Sequence, residues 1–475
     1  MRKNVQMSLL DIYKDVEKRL ETDKSALFKL LDEHIKWNEI IPLSFYCAFY
    51  KQFGRYRKYE LESFMRALFL QRIFHYVEDS QLLNTLRFSR EMREYCELDK
   101  VPDASKLTRF KQDYCEYIRE VFENLVELTE PICREMDKEL ADMLMFDTTG
   151  IESYVAENNP KFLNKMKSQS KSISKIDPTF DTSAGGTALM PKTATSNSAV
   201  KQQYINGHFC YAQKAVVIAN GLGIVRHLEL LDEDFKKTHP EMQIEKRTNC
   251  PQLDKEIGDS TSLKPVLYDF RNTYPTFKYS IFSADAAFDS YDNFSFLLND
   301  YGFSKAVIPF KKKPATDIGF NENGTPLCPS DGTPFILDSD YRVKNRAPRF
   351  KYVCPKTKWV STERGHSRRC FCDNPCSDSI CGRTVYVCSN RNLRLYPGLS
   401  RDSEKFVKIY NRRTAVERSI NTLKDTLGIS NRKTSNVLTT KADLFLAGIV
   451  QLVCVLLAHK LHDFKLARSP RRLIA

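Results

Sequence analysis

KFVKIYNRRTAVERSINTLKDTL, residues 405–427, decides how the rest of the chain is read. As one helix, it carries Tyr410, Arg413, Glu417 and Lys424 at offsets 0, 3, 7 and 14. At about 100° per residue these four fall within an arc of roughly 60°. One face then offers an aromatic hydroxyl, two cations and a single carboxylate, flanked by Arg412 and Arg418. A core face would be apolar, and a solvated face mixes signs less selectively. Arg413 and Glu417 alone are also a plain i,i+4 pair, which a salt-bridged surface helix would give equally well.

Two further carboxylates stand at the ends of apolar runs. MLMF (143–146) runs into Asp147, and KYSIFSAD (278–285) ends on Asp285. Such runs read as buried strands. Carboxylates at strand ends, with a third from a helix, form an all-oxygen set suited to Mg²⁺. Two such ions can activate an attacking oxygen and stabilise a leaving one in phosphoryl displacement. Asp289, four residues beyond Asp285, competes for the second position; the end of the apolar run favours Asp285.

The 475 residues are too many for one compact core. At 42% hydrophobic and 28% charged, the composition excludes a disordered or collagen-like chain. The net charge of +13 is unevenly placed. Residues 1–140 hold 24 basic against 26 acidic residues, whereas 401–475 hold 15 against 6. That distribution points to an anion-binding surface in the C-terminal two-thirds, nucleic acid being the commonest polyanion. No apolar signal opens the chain. Leu444–Ala458, the most apolar stretch, contains Gln451 and falls short of the ~20 residues needed to span a bilayer. It reads as a buried helix, with no membrane partner and the thiols reduced in a cytoplasm.

Four regions follow. Residues 1–140 read as helical, with LESFMRALFLQRIFHYV from Leu61 placing Phe64, Leu68, Ile73 and Tyr76 on one face, and Asp103 or Ser105 as a helix N-cap. Residues 141–310 alternate strands and helices, with Asn220-Gly221 as a hairpin turn and 166–202, rich in Ser, Thr and Lys with Gly185-Gly186, as a flexible loop or long excursion. Residues 311–400 have little helix signal and concentrate Cys328, Cys354, Cys370, Cys372, Cys376, Cys381 and Cys388. Dense thiolates in a reducing compartment suggest tetrahedral Zn²⁺, with Cys354, Cys370, Cys372, Cys376 and Cys381 as candidate ligands, although no C-x2-C knuckle is present. Trp359 either fills a core or stacks on an unpaired base. Residues 401–475 return to helix, broken near Gly428, and end in a basic tail.

Three segments carry a resemblance to bacterial insertion-sequence transposases of the DDE type. LMFDTTGIES (144–153) resembles that family's first-aspartate motif, and SADAAFDS (283–290) its second. Y-x2-R-x3-E-x6-K at 410–424 matches the Tyr-Arg-Glu-Lys signature in full. LESFMRALFLQRI and PDASKLTRFK resemble the helical domain that precedes the core. The resemblance implies an α/β fold: an RNase H-like mixed sheet flanked by helices, with an all-helical N-terminal domain and a Cys-rich insertion at 311–400. It implies that Asp147, Asp285 and Glu417 bind two Mg²⁺ ions, which Mn²⁺ could replace, and catalyse DNA cleavage and strand transfer. Tyr410, Arg413, Lys424, Arg412 and Arg418 would grip phosphates of transposon ends and target DNA. It further implies a homodimer on DNA, in a bacterial cytoplasm at the nucleoid. A non-catalytic DNA-binding derivative and a structure-selective nuclease on the same fold are the alternatives.

Overall fold

The computed structural model describes residues 8–11, 13–14, 16, 25–51, 56–177, 189–205, 208–240, 257–311, 319–363, 365–430 and 432–474. The chain divides into two compact units. One comprises 1–132, 152–154 and 421–475; the other comprises 133–151 and 155–420.

The first unit is helical among the described residues. Asp103 is the N-cap of Ala104–Asp113, its carboxylate accepting from the Lys106 amide while the Ser105 hydroxyl also points to it. Leu61–Ile73 is buried almost all round, so Phe64, Leu68 and Ile73 sit in the core as expected. Tyr76 does not: the helix stops at Ile73, and His75 takes φ 57°. Val437–Lys460 is long and apolar enough to cross a membrane, with mean hydropathy 2.0 over its best window. Of that window 89% is buried, against Leu61–Ile73 and Ala104–Asp113 among others.

The second unit holds a mixed sheet of seven described strands. They are β1 Met143–Glu152, β2 Thr193–Ala194, β3 Asn197–Ile205, β4 His208–Asn220, β5 Val225–Leu230, β6 Ile281–Ser283 and β7 Lys305–Val307. The order is β2-β3-β4-β1-β6-β7, and β5 pairs with the second half of β4. β2 to β5 pair antiparallel, while β1, β6 and β7 run parallel, with Met145 opposite Ser283 and Ser283 opposite Val307. Parallel strands buried on both faces need continuous apolar runs; Met143–Phe146 and Ile281–Ser283 are buried throughout.

Asn220 starts the β4–β5 turn, its side chain accepting from the amides of Leu222 and Ile224. The residue that needs positive φ is Gly223 at 82°, not Gly221. A Cβ on Gly223 would come within 3.2 Å of the Ala415 carbonyl, so this glycine lets the C-terminal helix approach the sheet.

Two sequence expectations change here. The stretch 166–202 is not a single loop: Pro160–Ile176 is a helix, and β2 and β3 follow. Gly185 and Gly186 lie outside the described residues. Residues 404–426 are not one helix either. Glu404–Asn411 ends, Arg413, Ala415 and Val416 donate to carbonyls three residues back, Thr414–Asn421 resumes as α-helix, and Thr422–Thr426 is a π-helical turn. Constant 100° spacing therefore fails across residues 410–424, and Tyr410 to Lys424 do not form one helical stripe.

Among the described residues, 319–400 forms strands. β8 Ile336–Tyr341, β9 Arg349–Val353 and β12 Thr384–Cys388 make one antiparallel sheet; β10 Thr357–Thr362 and β11 Gly365–Cys370 make a separate hairpin. A small core of Phe335, Phe350, Tyr352, Val385, Val387, Leu395 and Tyr396 includes Cys328 and Cys354, and Cys376 packs against it. Trp359 is 64% exposed on the hairpin with the Arg368 guanidinium 5.2 Å from its ring, so it does not fill a core.

Candidate active site

Asp147 lies two residues beyond Met145 on β1, and Asp285 two residues beyond Ser283 on β6. Because β1 and β6 are parallel and paired at Met145–Ser283, the two carboxylates stand level. Asp285 follows the end of β6, but β1 runs on to Glu152, so Asp147 lies within its strand and not at the strand end that the sequence suggested. Asp147 Oδ1 accepts from the Thr148 amide at 2.8 Å. Asp285 caps the turn Ala286–Phe288, its Oδ1 accepting from the Ala287 amide at 2.9 Å. Glu417 comes from the first turn of Thr414–Asn421.

Arg413 links β1 to the helix Thr414–Asn421. Its guanidinium is 2.5 Å from Glu417 Oε1 and 3.6 Å from Asp147 Oδ2. It also lies 5.7 Å from the Tyr410 ring. Burial opposes its charge, but Glu417, Tyr410 and Asp147 outweigh that and keep it above its usual value. Burial pushes the Asp147 carboxyl up to about 7, partly offset by the Thr148 amide and Arg413 and reinforced by Asp285 and Glu417. Asp285 is raised too, by burial first and by Asp259 among its neighbours. The three carboxylates thus lie within electrostatic reach. Their oxygens do not close into one cluster within 4.8 Å; the Arg413 cation lies between two of them.

Asp289 has a different job. Its side chain is fully buried, and both oxygens are taken: Arg394 Nε at 2.9 Å, Arg394 Nη2 at 2.6 Å and the Lys311 amide at 2.9 Å. It fastens residues 394 and 311 to the sheet end and has no oxygen facing Asp147 that is not already engaged.

Of the other cations named from the sequence, Arg412 and Arg418 are exposed. Lys424 falls in the π-helical turn of the first unit.

Three residues were missed. Asp259 is the first residue of the helix Asp259–Thr273. Its Oδ1 takes the Thr148 hydroxyl at 2.6 Å and Lys214 Nζ at 2.5 Å. Lys214, on β4, also bonds the Ile257 carbonyl at 2.5 Å. Burial would raise Asp259, but Lys214 and Thr148 outweigh it and hold the carboxyl below its ordinary value. Its only sequence trace is the lysine interrupting an apolar strand, HFCYAQKAVVIA.

The seven thiols between 328 and 388 are spread over the small core and its surface. Cys328 and Cys354 are buried, Cys370, Cys372, Cys376 and Cys388 partly so, and Cys381 is exposed. Burial raises the Cys354 thiol, and Cys370, Cys328 and Cys372 are near enough to add to that. Among the described residues no three of these thiols gather within 4.8 Å.

Residues 15–113 match the family model described as Transposase domain (DUF772). The match supports a transposase. It covers N-terminal helices of the first unit and none of the carboxylate centre. No curated protein matches the chain.

Proposed function

We propose that the chain is a DDE-type transposase that binds the terminal inverted repeats of its element and catalyses metal-dependent strand cleavage and transfer. The observation that carries this is the register that sets Asp147 and Asp285 level on paired parallel strands, with Glu417 joined to Asp147 through Arg413. The order β5-β4-β1-β6-β7, with β5 antiparallel to β4 and with β1, β6 and β7 parallel, supports an RNase H-like core. The transposase-domain match supports the same class from a separate part of the chain.

Asp147, Asp285 and Glu417 are the residues that would hold Mg²⁺. The donor set is all carboxylate, which suits a hard divalent cation. The metal supplies charge neutralisation at phosphorus and an activated attacking oxygen. Arg413 neutralises Asp147 and Glu417, while Tyr410 and exposed Arg412 and Arg418 offer phosphate contacts. Water displaces the 3′ oxygen at the element end, leaving a 5′-phosphate on the flank, and the freed 3′-hydroxyl then attacks a target phosphodiester, displacing the target's 3′ oxygen as its hydroxyl. A dimer on DNA follows from the need to process two ends together.

The test is incubation of the full chain with Mg²⁺ and duplexes carrying the element's ends. Nicked 3′-hydroxyl ends and joined products are expected. Binding without nicking would support a non-catalytic derivative, and nicking without joining a nuclease.

Thr148, Asp259 and Lys214 brace the backbone behind Asp147. Partners at this distance typically tune metal affinity by about 10–100-fold. Asp259→Asn and Thr148→Val are therefore expected to raise the half-saturating Mg²⁺ concentration about tenfold, read from nicking rates across a metal titration. Unchanged half-saturation in both variants would remove the brace from the mechanism.

We also propose zinc in the 319–400 segment. The sharing of one small core by Cys328, Cys354 and Cys376, with Cys370 and Cys372 close to Cys354, supports it and adds Cys328 to the candidates. Protein purified without chelators is expected to carry about one equivalent of zinc by metal analysis. Less than about 0.3 equivalents would count against a structural site, since such sites bind tightly.

A further inference from the structure

The helix Pro160–Ile176, PKFLNKMKSQSKSISKI, has two unlike sides. It starts cleanly, with Pro160 in the first turn and Asn159 as the cap accepting from the Lys161 amide at 2.9 Å. Phe162, Leu163 and Met166 pack on a small core of Val155, Met190, Ala194, Val200 and Tyr211. Ser170, on the same side, is buried. The other side carries Lys161, Lys165, Lys171 and Lys175, all exposed, and Lys167 lies exposed beside them. At about 100° per residue the first four fall within an arc of roughly 120°, opposite the apolar side.

No residue of this helix is acidic. The rest of its polar surface is Ser, Asn and Gln, side chains that hydrogen-bond phosphate without repelling it. A solvated helix normally mixes signs, and Glu–Lys pairs four apart support it. Here Lys161–Lys165, Lys167–Lys171 and Lys171–Lys175 are like-charged pairs four apart, and each opposes the helix. The apolar contacts hold the helix in place despite this self-repulsion. A polyanion along the lysine face would relieve it. Seventeen residues span about 25 Å, the length of roughly seven base-pair steps.

We propose that the lysine face of Pro160–Ile176 is a track for the phosphate backbone of duplex DNA, separate from the carboxylate centre. This rests on the transposase reading and names a DNA-contacting element that neither the transposase-domain match nor the signature motif includes. The face reads charge and not bases, so it takes duplex DNA of any sequence.

The test uses the full chain and a fluorescent duplex of mixed sequence, with affinity measured from about 50 to 200 mM salt. Each neutralised phosphate contributes about 0.9 to the slope of log affinity against log salt. Lys161→Gln, Lys165→Gln, Lys171→Gln and Lys175→Gln combined are expected to flatten that slope by about 3.6 and to weaken binding at least tenfold at the low-salt end. The matching four Lys→Arg changes, which keep the charge, are expected to restore both. Gln is nearly as good a helix former as Lys, and the replaced side chains lie away from the apolar contacts, so the melting temperature should hold. An unchanged slope in the Gln variant, with wild-type protein binding steeply, would overturn this assignment alone. Failure of wild-type protein to bind any duplex would overturn it together with the transposase reading.

Discussion

Glu417→Gln is expected to lower metal-dependent strand cleavage by about a thousandfold without loss of the fold. The amide keeps the size of the side chain and one oxygen, and removes the charge. Glu417 is 43% exposed, so little of the fold depends on it. Metal at such a centre stabilises the transition state by several kcal/mol, and about 4 kcal/mol corresponds to roughly a thousandfold in rate. Asp147→Asn and Asp285→Asn should fall by a similar factor, since each removes one charge from the same set. Asp289→Asn is the informative contrast. Its carboxylate is fully buried against Arg394 and the Lys311 amide, so its loss should appear as a lower melting temperature. Nicking rates on gels, with calorimetry alongside, separate the two outcomes. Equal cleavage by wild type and Glu417→Gln would remove Glu417 from the centre. Lost cleavage at unchanged melting temperature in Asp289→Asn, with Asp285→Asn active, would move the second carboxylate to Asp289.

The strand carboxylates were half legible. An apolar run ending in an acidic residue marks the exit of a buried strand, and IFSAD obeys this, Asp285 following the end of β6. MLMFD does not: β1 continues to Glu152, so Asp147 sits within its strand, and only the register with β6 sets it level with Asp285. Glu417 was singled out through the Tyr-Arg-Glu-Lys spacing, of which the Arg413–Glu417 contact, within one turn, survives the irregular backbone. The wider stripe from Tyr410 to Lys424 failed because the chain tightens at 412–416 and widens at 422–426. No sequence period reports such changes of helical pitch. Asp259 and Lys214 were invisible for another reason: they stand 45 positions apart, and only strand pairing and a returning helix bring them to Thr148. The lysine helix was misread from composition. Ser and Lys suggested a loop, while Phe162, Leu163, Met166 and Ile173 already repeated at helical spacing. Periodicity outweighs composition where an apolar surface is available to receive the stripe, and here Val155, Val200 and Tyr211 supply it.

Asp443→Asn is expected to destabilise the chain by about 3–5 kcal/mol, for reasons confined to the first unit. Asp443 is buried within the long apolar helix Val437–Lys460. It meets Arg72 at 2.7 Å, Arg432 at 2.7 Å and Lys111 at 3.4 Å. Asp79 shares Lys111 at 2.9 Å and Arg432 at 3.3 Å. Three cations therefore face two carboxylates with almost no solvent. Burial pulls the Arg72 guanidinium down to about 10, with Asp443 and Asp79 acting against that. Burial also opposes ionisation of Asp443, but Arg432, Arg72 and Lys111 prevail and hold it below its ordinary value. A carboxyl lowered by folding stabilises above its unfolded value, about 4, and loses that contribution as pH falls further. Neutralising it leaves three buried cations with Asp79 alone. For a unit of this size the melting temperature should drop by about 10 °C. A fall of under about 2 °C in calorimetry of the full chain would mean that water or rearrangement already screens the cluster. Pairing Asp443→Leu with Arg432→Met removes one charge of each sign and leaves Arg72, Lys111 and Asp79. Because the cost of a broken buried pair is mostly the uncompensated partner, this double variant should be more stable than Asp443→Asn alone. If it is instead less stable, the network contributes through attraction and not only through the penalty for breaking it.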